Sequence, residues 1–87
     1  MSDMPTREWS IRWPDKSISR ARTAYELLAY LGKDQPEPVG VEDMKDLLSI
    51  RAQTWSGKFI QPHQPDAPFL RELARVGMIE ILTEGEF

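Results

Sequence analysis

A catalytic or metal-binding reading of this sequence must be built around a single imidazole, His63, because the chain contains one histidine and no cysteine. His63 sits in Gln61-Pro62-His63-Gln64-Pro65, between two prolines that hold the backbone in irregular, extended form. A catalytic nucleophile needs an adjacent base and a group that orients it, and no serine here lies in a G-x-S-x-G elbow. His63 therefore reads as a solvated loop side chain. Glu42, Asp43 and Asp46 could gather a hard cation, but their spacing lacks the alternating oxygen ligands of a calcium loop. They read as acidic charges at a helix start, where the macrodipole favours them. Ser56-Gly57-Lys58 superficially matches part of a phosphate loop but lacks its upstream glycine and its strand–loop–helix setting. The expectation is a protein that is not an enzyme and carries no cofactor and no metal.

Binding is the chemistry that the side chains do supply. Three tryptophans, two tyrosines and three phenylalanines must be placed in a short chain, and most belong in its core. Those left over are expected to anchor a partner, since Trp and Tyr concentrate at interface hot spots. The candidates are Trp55, Phe59 and Ile60, in and after the end of a helical stripe, together with Tyr30. Asp43 and Asp46 would steer a basic partner toward them. The leading expectation is a small non-catalytic protein-interaction module, its partner another protein.

Charge argues the same way. Residues 1–33 hold six Lys/Arg against four Asp/Glu, whereas residues 34–87 hold five against ten, so no strong basic field is available for phosphates. No apolar run approaches the roughly 20 residues that span a bilayer, and the N-terminus lacks a basic-then-apolar signal pattern. Without cysteine there is no disulfide, which suits a reducing compartment. A cytoplasmic protein with no membrane partner is expected.

The elements that must position these residues follow from periodicity. Residues 1–7 are polar, contain Pro5 and show no period, which predicts a flexible tail ahead of one domain over 8–87. Trp9, Ile11 and Trp13 alternate with Ser10 and Arg12, Pro14-Asp15-Lys16 is turn chemistry, and Ile18 resumes a strand. This predicts a hairpin over residues 8–21 with Lys16 at positive φ. Thr23 and Glu26 form a capping box for a helix carrying Leu27, Leu28 and Leu31 up to Gly32. Val39-Gly40-Val41 reads as a short extended piece. Met44, Leu47, Leu48, Ala52 and Trp55 then make a stripe over residues 41–55, either as one helix or as two broken at Ser49 and Ile50. After an irregular link, Asp66 reads as an N-cap, Pro68 as a first-turn residue, and Phe69, Leu70, Leu73 and Ala74 as an apolar face. Gly77 stops that helix, and Met78–Thr83 reads as a strand. The fold class is α+β: the N-terminal hairpin and the C-terminal strand in a small antiparallel sheet, with three helices packed on one face. Leu27, Leu28, Leu31, Met44, Leu48, Phe69, Leu73 and Ile79 are the expected core.

From Thr23 onward the order of elements resembles a winged helix-turn-helix domain. Thr23–Leu31 would be its first helix, Val39–Val41 its short strand and Glu42–Leu48 its second helix. Phe69-Leu70-Arg71-Glu72-Leu73-Ala74-Arg75-Val76-Gly77-Met78-Ile79-Glu80-Ile81 is similar to the end of a recognition helix running into a wing strand. The resemblance covers about two thirds of the chain and rests on a generic pattern; the long Ile50–Pro65 insertion departs from it. It implies the competing function, a DNA-binding regulator. The groove face would be Arg51, Gln53, Thr54 and Lys58, whose side chains are suitable base and phosphate donors.

Overall fold

The chain enters the structure, a computed structural model that describes residues 8–85, through a strand that becomes the centre of a sheet. The expected tail over residues 1–7 lies outside the described residues. Strand β1 (Trp9–Arg12) pairs antiparallel with β2 (Ile18–Ala21) on one side and with β3 (Glu80–Thr83) on the other, giving the order β2-β1-β3. Ile11 opposes Ser19 in one ladder and Ile81 in the other, and a bulge falls between Ser10 and Ile11 on the β3 side. Trp9 and Ile11 are fully buried while Arg12 is exposed, so the period of two places one face of the sheet under the helices.

The hairpin turn has the predicted chemistry. Lys16 N–H donates to the Trp13 carbonyl at 2.8 Å, and Lys16 takes φ +72°. Pro14 presets the second turn position, and the Asp15 carboxylate accepts from both the backbone N–H and the hydroxyl of Ser17, at 2.9 and 2.6 Å. These two bonds hold a left-handed lysine in place without glycine.

Helix α1 (Ala24–Lys33) opens on the expected cap, with Glu26 N–H donating to the Thr23 hydroxyl at 3.1 Å. It runs one residue past Gly32, which is helical and is not the stop. The Val39 carbonyl occupies the space a Gly32 side chain would need, so glycine answers to that close approach. Leu31 is half-buried at the rim of the core. Val39 and Gly40 form no strand: Val39 N–H donates to the Gly32 carbonyl, and Gly40 caps helix α2 (Val41–Ser56), which is a single helix.

Helix α3 (Asp66–Arg75) contributes Ala67, Phe69, Leu70 and Leu73 to the core. Its cap position is Pro65, and Asp66 is the first helical residue. The Asp66 carboxylate serves Lys45 of α2 instead of the helix end. The C-terminus closes as a Schellman motif, with Met78 N–H on the Leu73 carbonyl, Gly77 N–H on the Ala74 carbonyl, and Gly77 at φ +84°. Because this cap uses Met78, the strand begins at Glu80, two residues later than the apolar run suggests. Trp9, Ile11, Leu27, Leu28, Met44, Leu48, Ile60, Phe69, Leu70, Leu73 and Ile79 make one core. The result is α+β, with three helices and a three-stranded antiparallel sheet.

Candidate functional site

Which side chains remain for a partner is decided largely by the rotation of α2 about its axis. Its buried face is Met44, Lys45, Leu48, Ser49 and Ala52, with Leu47 half-buried against the core and Trp55 exposed, so two polar residues outside the apolar stripe lie inward. Both polar groups have buried work. The Ser49 hydroxyl donates to the Ile60 carbonyl at 2.5 Å, and the Lys45 ammonium donates to the Gln64 carbonyl at 2.7 Å. Residues 57–65 have little regular structure, and these side chains satisfy backbone carbonyls that neither helix nor sheet would. Ile60 plugs the core between them and is 0% exposed.

Ile60 is thus a correction: it cannot anchor a partner, because it is what fixes the irregular link to α2. Trp55, in contrast, is 60% exposed, Phe59 63% and Tyr30 51%. Asp43 is exposed and Asp46 half-buried. The acidic pair does not join the aromatic end, since Asp43 lies about 18 Å from Trp55 along the helix axis at a rise of about 1.5 Å per residue. That is more than twice the roughly 8 Å over which salt at physiological strength screens exposed charges.

Trp55 has neighbours that sequence periodicity did not assign to it. An open groove of about 760 Å³ runs between the hairpin turn and the C-terminal end of α2. Its lining includes Trp13, Pro14 and Ile18 from the hairpin, Trp55 from α2, and Met78 from the turn after α3. Gly77 backs the Trp55 indole: the position of a Cβ there would be 3.7 Å from the ring's Cζ3 and Cη2 atoms. The Trp13 indole N–H donates to the Ser19 hydroxyl at 2.9 Å, which fixes that ring across the hairpin. Arg12 and Lys16 add positive charge, and Glu80 meets Arg12 at 3.3 Å in an exposed pair. Of the six residues proposed as anchors or steering charges, only Trp55 lines this groove. Trp13 continues the Trp9–Ile11 alternation and packs half-buried against the core. It lies one residue beyond β1 and also lines the groove. Its place beside Pro14 at the turn was the available signal.

The four residues of the DNA-binding alternative are all exposed, but they do not form one face. Arg51 and Gln53 are two residues apart, roughly 200° around a helix, and so project to nearly opposite sides. Arg51 donates to Gln35 Oε1 at 3.3 Å. Thr54 lies on the outward side with Asp43 and Ile50, and Lys58 is past the helix end. On α3, Arg71 makes two hydrogen bonds to Glu84, at 3.1 and 2.7 Å, and Arg75 bonds Glu72 at 2.6 Å. The Glu84 bonds raise the Arg71 pKa, and the Arg75 bond holds the Glu72 carboxyl below its usual range.

His63 is exposed, with its backbone N–H on Gln61 Oε1. Glu42 reaches Lys45 at 3.5 Å. Among the described residues no three acidic or histidine side chains gather into a metal-binding group, and no helix is long and apolar enough to cross a membrane. Comparison of the chain with protein-family models, with curated proteins and with solved structures finds no match.

Proposed function

We propose that this protein is a non-catalytic interaction module that holds a segment of another protein in the groove between its hairpin turn and Trp55. The observation that supports this is the exposure of Trp55, a side chain large enough to dominate a small core, which instead lines a groove together with a second indole. An exposed tryptophan forgoes about 1.5–3 kcal/mol or more of burial, and a partner that covers it recovers that energy. The groove also has the composition of a recognition site: mostly apolar walls with a few polar and charged groups at its rim.

Duplex DNA recognition through Arg51, Gln53, Thr54 and Lys58 has less support. The donors diverge around α2, and Lys58 lies past the helix end, so no continuous donor face is presented to one groove.

The test is capture in the source cell. A photoreactive p-benzoylphenylalanine in place of Ile18, a 46%-exposed residue on the groove's edge, should cross-link one protein partner. Adding Trp55→Ala should abolish the adduct, while Tyr25→Ala, on a residue outside the groove, should leave it intact. Adducts indifferent to Trp55→Ala would overturn the proposal. Duplex DNA binding whose affinity falls steeply with salt, lost in the Arg51→Ala/Lys58→Ala variant, would instead establish the DNA-binding reading.

A further inference from the structure

We infer that the groove's ligand is an extended, proline-containing peptide segment with acidic residues beside the proline. This deepens the interaction-module reading and rests on it.

Three features of the groove define that chemistry. The first is a pair of tryptophans with different polar states. The Trp13 N–H is occupied by Ser19, so Trp13 offers a ligand only its ring. The Trp55 N–H meets no acceptor among the described residues. An apolar ring and an indole whose donor meets no acceptor among the described residues, both lining one groove, suit a proline ring packed on one and a peptide carbonyl bonded to the other. Proline-rich segments are recognised this way because their extended helix leaves every carbonyl unpaired and is already ordered before binding.

The second feature is the surrounding surface. Pro14, Ile18 and Met78 continue the apolar lining without adding donors or acceptors in their side chains. Gly77 also lines the groove, beside the six-membered ring of Trp55.

The third is charge. Arg12 is partnered by Glu80, while Lys16 has no carboxylate at ion-pair distance among the described residues. The turn that carries Lys16 is clamped by the Asp15–Ser17 bonds and by its own link to the Trp13 carbonyl. The backbone that carries the cation at the rim is therefore held, and the ammonium complements an acidic neighbour of the proline. A single unpaired cation, next to the carboxylate of Glu80, is a poor track for the repeating phosphates of a nucleic acid strand.

The experiment uses three fluorescein-labelled ten-residue peptides that share a Pro-x-x-Pro centre and differ in flanks of Glu, Ser or Lys, with a labelled ten-nucleotide oligo-dT as a fourth probe. Fluorescence anisotropy should show the Glu-flanked peptide bound at least 10-fold more tightly than the Lys-flanked one. Trp55→Ala should weaken it at least 10-fold, and Lys16→Glu should reverse the flank preference. Tyr25→Ala should change nothing, with circular dichroism melts confirming that each variant is folded. Absence of saturable peptide binding, a preference for Lys flanks, or tighter binding of oligo-dT would overturn the inference. Trp55-dependent binding with no flank preference would remove the acidic ligand and leave the interaction module standing. Loss of the Ile18 cross-link's dependence on Trp55 is the separate result that removes the module reading itself.

Discussion

The ammonium of Lys45, with a side chain 4% exposed, lies 2.5 Å from the Asp66 carboxylate at the start of α3. The Gln64 carbonyl and Glu42 supply its other acceptors. One side chain of α2 thus ties down both the irregular link and the helix that follows it. Asp66→Ala would leave a buried cation short of its strongest partner and should cost about 3 kcal/mol, the low end for a broken buried pair because two acceptors remain. Lys45→Met removes the charge along with the pair and should cost about 1 kcal/mol or less, since Asp66 keeps access to water. Urea unfolding of both variants checks the order; equal losses would mean that the ammonium is not desolvated.

Leu73 is fully buried at the centre of α3 and also lends its carbonyl to the Schellman cap. Leu73→Ala should destabilise by about 2–5 kcal/mol, the range for a buried leucine. A loss below about 1 kcal/mol, read from the urea midpoint, would contradict the packing of α3.

Lys16 separates folding from binding. At φ +72°, Lys16→Gly should be neutral or stabilising by up to about 1 kcal/mol in a thermal melt. The same variant should bind the Glu-flanked peptide less well, because the rim cation is gone. Clear destabilisation would show that the lysine is not strained there.

Gly32→Ala drives a methyl group into the Val39 carbonyl, a backbone group held close by the bond from Val39 N–H to the Gly32 carbonyl. Ala is ordinarily the better helix former, so a surface-like glycine would gain stability from this change. Here the loss should be about 1–3 kcal/mol, as for an overpacked site. A rise in melting temperature would refute the close approach.

Two carboxylates contribute to the loss of stability in acid. The Ser17 hydroxyl, then its backbone N–H, lower the pKa of Asp15 from the ordinary 3.8, and Arg75 lowers that of Glu72 from 4.5. A depressed folded-state pKa contributes stability that is present above the unfolded-state value and disappears as pH falls through the folded one. Thermal stability should therefore be insensitive to these two groups above about pH 5 and fall progressively below about pH 4. Asp15→Asn should flatten part of that fall. An unchanged acid limb in Asp15→Asn would show that the turn bonds do not discriminate between the two protonation states.

Much of the fold could be read from local rules. The Thr23–Glu26 cap, the Pro14-Asp15-Lys16 turn with its left-handed lysine, the Gly77 stop and the apolar face of α3 are decided by groups within a few residues of one another. The α+β class followed because those local elements leave few ways to bury Trp9, Ile11 and the leucines of α1 and α3 together. The rotation of α2 was settled by partners far along the chain. Apolar periodicity put Leu47 and Trp55 on one stripe with Met44, Leu48 and Ala52 and left the fate of Trp55 open, but the carbonyls of Ile60 and Gln64 need donors, and Ser49 and Lys45 turn inward to supply them. That rotation buries Ile60 and leaves Trp55 exposed. The groove likewise joins residues 12–18, Trp55 and 77–80, which no sequence window contains. Sequence by itself determined the order of the main elements, the Thr23 and Gly77 caps and most of the leucine core; only tertiary structure decided the α3 cap, the burial of Ile60 and which aromatics face solvent, because burial depends on the whole set of backbone groups that must be satisfied.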